Sequence, residues 1–144
     1  MEQLSKSRLQ NLGLLFLRLL MGIGIAAHGW GKFSGDMGGF AEGAVGMKMG
    51  LPAPLFLAWV AALSEGLGGI LIALGLLTRV AAFFVLCVMA TAFFIFHGAD
   101  PWNVKELAFL YGTVALALIF TGSGCYSVDA LIFGKKGPSN GVFY

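Results

Sequence analysis

Charge is what this sequence has least of. Of its 144 residues 11% are charged and 58% hydrophobic, and the mean hydropathy is +0.88. A soluble domain carries about 25% charged residues, so this chain cannot cover a globular surface, and lipid is its expected solvent. An excess of one charge sign is missing too: the net charge is +2, scattered and without a basic tract, which argues against a nucleic-acid partner. Two cysteines are present, Cys87 and Cys125, in separate segments without CxxC or metal-ligand spacing. That pattern argues against a disulfide framework and a zinc site. A nucleotide-binding fingerprint, a haem-attachment CxxCH and a GxSxG elbow are all absent.

Long apolar runs are what the chain has instead. A bilayer crossing needs about 20 mostly apolar residues, and four segments meet that measure: roughly 11–31, 54–77, 80–97 and 105–121. Lys6 and Arg8 precede the first run in the manner of a signal peptide, but more membrane-like segments follow, so it reads as an uncleaved span. The expected fold is all-α, an antiparallel four-transmembrane-helix bundle forming a single domain over 1–144. Only Thr78 and Arg79 separate spans two and three, which makes them antiparallel neighbours. The longer loop between spans one and two is rich in Gly and Met. Its stretch from Phe40 to Met49 reads as a short interfacial helix weakened by its glycines.

Lys6, Arg8, Arg79, Lys135 and Lys136 fall on one side of this arrangement, and Lys32, Lys48 and Lys105 on the other. The positive-inside rule then places both termini in the cytoplasm. Trp30, Trp59 and Trp102 gather toward the outer, periplasmic interface of a multi-pass protein in a bacterial inner membrane.

Ionisable groups inside a span are costly and normally face a partner or a wet cavity. Arg18 in span one and Glu65 in span two sit at similar depth, offset by only ~5 Å at 1.5 Å per residue. They could form a buried pair, functional or merely fixing helix register, or Arg18 could snorkel to the cytoplasmic interface. A separate cluster converges on the outer face: His28 ends span one with Lys32 a turn beyond, His97 ends span three, and Lys105 and Glu106 begin span four. Imidazoles beside a carboxylate and lysines suit a quinone-like or anionic head group, or a proton relay. Gly22 and Gly24 are expected to leave room beside a polar wall running from Arg18 to His28. Gly69 and Ala73 have the small-xxx-small spacing of a helix-packing face. Met37, Met47 and Met49 read as loop packing rather than a Cu(I) site, so no metal is expected. Cys87 reads as a small buried side chain of span three.

Several of these stretches together resemble the DoxX family of small bacterial membrane proteins. They are "RLLMGIGIAAHGWGKF", the "LPAP" that opens span two with its "SEGLGG" centre, the "LLTR" turn, "FIFHG", and the exit "CYSVD". The resemblance covers about 8 to 130. It implies a four-helix membrane bundle and a loose link to redox chemistry, since relatives include a subunit of an archaeal thiosulfate:quinone oxidoreductase and a mycobacterial member of a membrane oxidoreductase complex. One departure is Cys125, where family members often carry Arg. The function expected is a quinone-linked redox subunit or partner of an oxidoreductase complex, with Arg18, His28, Lys32, Glu65, His97, Lys105 and Glu106 as the head-group site. Without a built-in electron carrier, such work needs a bound quinone or a partner. The alternative is a non-enzymatic membrane scaffold or small transporter with a polar intramembrane cavity. The expected partners are the lipid bilayer and a second copy of the chain or another membrane or redox protein.

Overall fold

A computed structural model describes residues 2–133, with side chains from Ser7 onward. Lys135 and Lys136, counted above for orientation, lie outside the described residues, and the side chain of Lys6 does too. Among the described residues the regular structure is all helical, without strands. Helix α1 (Glu2–Ser34) leads to the short α2 (Met37–Gly39), started by Asp36, whose carboxylate accepts from the Gly39 N–H at 3.0 Å. This runs into a π-helix, Phe40–Lys48. Helix α3 (Pro54–Leu74) opens on a proline, where the missing N–H costs nothing. Helices α4 (Thr78–Thr91), with a π-helical extension Ala92–Phe96, α5 (Trp102–Thr121) and α6 (Val128–Phe133) complete the order. Four stretches are long and apolar enough to cross a membrane: Ser7–Ser34, Pro54–Leu74, Thr78–Phe96 and Trp102–Thr121.

The turn between spans two and three starts earlier than the apolar run suggests. Gly75 adopts a left-handed φ of 71°, and its N–H and that of Leu76 bond back to Ile72 and Leu71. This is a Schellman closure, which ends the helix before the hydrophobic pattern does. Leu77 also has a positive φ, 48°, a strain of about 1–2 kcal/mol for a residue with a Cβ.

Helix α1 packs along α3, α4 along α5, and α3 joins the two pairs through α4. Glycine sets the first of these contacts. A Cβ on Gly22 would lie 2.6 Å from the Ala73 nitrogen, one on Gly69 2.6 Å from the Ala26 nitrogen, and one on Gly29 2.5 Å from the Gly66 Cα. The small-residue face holding Gly69 and Ala73 is therefore a helix-packing device, and it fixes an antiparallel register in which Gly22 meets Ala73, Ala26 meets Gly69 and Gly29 meets Gly66. The two helices are staggered: α1 ends level with about Ala61, and its first half projects past the end of α3 at Leu74. At the loop face, the end that carries the 35–53 segment, the π-helix fills the step. It buries Ala41 and Val45 against Ala58, with Met37 and Met49 packed on the same cluster.

The interior core is small: Met21, Ile25, Ile72, Ala81, Ala82, Val85, Met89, Ala115 and Leu118. Large apolar side chains point outward along every span, among them Leu20, Ile23, Phe94 and Phe120. That inside-out distribution is stable where the surroundings are as apolar as the core.

Candidate functional site

The structure corrects the expected pair of Arg18 and Glu65. In the observed register Glu65 stands level with Trp30 and Arg18 with Leu77, twelve residues or ~18 Å apart along the bundle. Arg18 is fully buried beneath the α3–α4 turn, against Gly75 and Ser127. Its Nη2 donates to the Tyr126 carbonyl at 2.6 Å, and Asp129 follows in the same segment. Asp129 in turn accepts from the N–H groups of Leu77 at 2.8 Å and Thr78 at 3.2 Å, capping α4 from another segment of the chain. Such a cap is worth about 1 kcal/mol and offsets the strain at Leu77. Ser127 Oγ accepts from the Ala130 N–H at 3.1 Å and starts α6. The Tyr-Ser-x-Asp exit is thus a fastening of the 126–129 segment onto Arg18 and the turn. Gly22 packs against Gly69 and Ala73 of α3, and Arg18 does not line the cavity that His28 borders.

Glu65 has a different partner. It is 3% exposed and forms an ion pair with Lys32 of α1, whose ammonium lies 5.6 Å from the centre of the Phe40 ring. The close approach of Gly29 to Gly66 is what brings Lys32 within reach, since each charged residue sits within one turn of the crossing. A buried carboxylate needs such a partner, because an unpaired charge in this setting is strongly unfavourable.

The pair borders a cavity of about 440 Å³ in the loop-face half of the bundle. All four spans and the π-helix contribute to it. Its walls are mostly apolar, from Ile25, Val45, Val60, Val88, Met89 and Ala108, and its polar groups are His28, Lys32, Glu65, Thr91, His97 and Tyr111. His28 stands at the exposed rim, with its ring edge-on to Tyr111 at a centroid distance of 5.9 Å. The Tyr111 hydroxyl rests over Gly24, in the place a Cβ there would occupy. Gly24 therefore does leave room, for a tyrosine from the opposite wall.

His97 follows the π-helical extension of α4, the kind of local widening often found at functional positions. Its Nδ1 lies 2.7 Å from Asp100 Oδ2. Lys48, at the end of the loop π-helix, reaches the same oxygen at 3.5 Å and lies 3.9 Å from the centre of the Phe96 ring. Asp100 thus ties the loop over the cavity to the α4–α5 turn. The His97 hydrogen bond holds its carboxyl below the usual carboxylate range, Lys48 adds to this, and partial desolvation opposes it.

Four of the seven expected site residues, His28, Lys32, Glu65 and His97, line this one cavity; Arg18, Lys105 and Glu106 do not. Lys105 Nζ donates to the Gly98 carbonyl at 3.3 Å and caps the turn, and Glu106 is exposed. Cys87 is exposed rather than buried and lines the cavity mouth, while Met47 is 81% exposed. Tyr111, Thr91 and Asp100 belong to the arrangement without having been expected. Tyr111 had a signal in the sequence, as the one hydroxyl-bearing aromatic in the middle of a span.

The family model described as DoxX matches residues 13–98. A protein of Haemophilus influenzae described as uncharacterized is 37% identical over 132 residues, covering 85% of this chain and 92% of its own length. The inner membrane protein YqjF of Escherichia coli is 34% identical over 134 residues, covering 89% and 98%. The Bacillus subtilis protein named "Putative oxidoreductase CatD" is 32% identical over 131 residues, covering 90% and 92%. No solved structure gives a significant match.

Proposed function

The chain belongs to the DoxX family, and from that premise we propose that it is an inner-membrane protein that binds a quinone-type head group, as a subunit or partner of an oxidoreductase. The observation that carries this reading is the single cavity bordered by Lys32, Glu65, His28, His97 and Tyr111. Its volume falls in the range of small-molecule sites, which are mostly apolar with a few convergent polar groups. A quinone ring is flat and apolar on both faces with an oxygen at each end, and the residues present fit that pattern. The apolar walls suit the ring, and the Tyr111 hydroxyl and the His28 imidazole suit the oxygens. A bound quinone would supply the electron-transfer chemistry. The chain's own part is to hold the ring, to pair Glu65 with Lys32, and to offer polar groups at His28, His97 and Tyr111. A rim residue such as His28 suits a ligand that arrives from the lipid. The oxidoreductase named among the relatives supports the same direction. In this reading both termini are cytoplasmic and the cavity opens in the periplasmic half.

The test is the quinone retained by the purified full chain, extracted and measured against Glu65→Gln and Tyr111→Phe variants of equal thermal stability. Retention near one per chain that falls several-fold in both variants supports the proposal. Absence of quinone, or equal retention in all three, refutes it and favours the scaffold or transporter reading.

A further inference from the structure

The contact between His97 and Asp100 fixes more than a turn. Asp100 lies outside the spans, and its carboxyl is held below the usual range, so it is ionised at neutral pH and can only accept. At 2.7 Å its partner, His97 Nδ1, must therefore carry the proton. In a neutral imidazole the other nitrogen, Nε2, is then a lone-pair acceptor, and this ring lines the cavity. Another acceptor there, and the one that cannot donate, is the Glu65 carboxylate. Two acceptors match a ligand that brings two hydroxyl groups.

We infer that Asp100 is a positioning residue that holds His97 Nε2 as an acceptor toward the cavity, so that the site prefers the dihydroxy, quinol form of its ligand over the quinone. This rests on the quinone-type reading above. The charged and titratable groups around His97 are consistent with it. Asp100 faces Nδ1, and Lys48 shares its Oδ2. Lys105 is engaged by the Gly98 carbonyl, Lys32 is engaged by Glu65, and His28 and Tyr111 line the same cavity. Lys48 is the competing explanation for the importance of Asp100, because it latches the loop to the same oxygen. A Lys48 variant separates the two roles.

The experiment uses the full chain in lipid nanodiscs with decylubiquinol and decylubiquinone as probes. One measurement is the ratio of their affinities, and the other is the His97 tautomer read from ring ¹⁵N shifts. The wild type should bind the quinol roughly three- to tenfold more tightly, the size of one net hydrogen bond, with the proton on Nδ1. Asp100→Asn, similar in shape but able to donate to Nδ1, should shift the proton to Nε2 and bring the ratio to about one. Asp100→Glu should restore part of both, and Lys48→Ala should leave both unchanged. An unaltered tautomer or ratio in Asp100→Asn overturns the inference, as does a wild type that prefers the quinone. A Lys48→Ala variant that reproduces Asp100→Asn overturns it too. Binding of neither probe by the wild type refutes the quinone-type reading itself, which sets that failure apart from the others.

Discussion

The crossing of α1 and α3 at Gly29 and Gly66 positions the Lys32–Glu65 pair, and Gly29→Ala tests it. The added Cβ would lie 2.5 Å from the Gly66 Cα and 2.8 Å from the Glu65 carbonyl carbon, against an ordinary contact of 3.4–4 Å. Those atoms are backbone, so no rotamer change relieves the clash and the helices must separate by roughly 1 Å. Overpacking of this kind costs about 1–3 kcal/mol. Gly31 and Gly13 are matched controls, with nothing within 4 Å of an added Cβ. At such exposed helical sites alanine is favoured over glycine by about 0.5–1 kcal/mol. Both positions lie in α1 and share that gain, so Gly29→Ala should fall about 1–3 kcal/mol below Gly31→Ala in unfolding free energy, measured by steric trapping in lipid. Equal stability of these two variants, within about 0.5 kcal/mol, would refute the close-packed crossing.

Two further outcomes follow from the 126–129 segment and the loop. Arg18→Met should leave quinone retention intact, because Arg18 does not line the cavity, but should release its contact with the 126–129 segment. Faster hydrogen exchange at Leu77 and Thr78, whose N–H groups bond to Asp129, would report this, and unchanged exchange there would count against the fastening. Asp100 gives a pH dependence of known sign. Its folded-state value is depressed, chiefly by His97 and also by Lys48, so its contacts add stability that is fully present above the ordinary carboxylate value of about 3.9 and is lost as pH falls through the lower folded value. Exchange in the loop π-helix should thus stay protected from pH 8 to about 4 and lose protection below that, and His97→Gln should raise the Asp100 midpoint in a ¹³C titration. A loop that opens near pH 6 would contradict the latch.

The four spans were legible because length and apolarity alone identify them, and the small-residue face of α3 was legible because Gly and Ala at that spacing have little other use in a membrane helix. The partner of Arg18 was not. Matching charges by their distance from the middle of each span assumes helices that are centred on one another, and here α1 and α3 are staggered, so depth misassigned both Arg18 and Glu65. The true partner of Arg18 is a backbone carbonyl 108 positions away, and a carbonyl leaves no mark in a sequence. His28 and His97 line one cavity, and alternating helix directions are what bring those two span ends to the same face. Lys105 and Glu106 share that end of the bundle, but their helix turns them away from the cavity, and the rotation of α5 is set by packing against α4 that its weakly patterned sequence does not announce.

The claim at the centre of this account is that one cavity in the loop-face half of the bundle takes a quinone-type head group. A photoreactive quinone analogue, crosslinked to the full chain in native membranes and mapped by mass spectrometry, tests it most directly. The account predicts labelling of His28–Lys32, of the α4 stretch from Cys87 to His97 and of Val104–Tyr111, all suppressed by excess decylubiquinone. Labelling confined to outward side chains such as Phe16, Leu20 and Phe120, or labelling that excess decylubiquinone leaves unchanged, would contradict it.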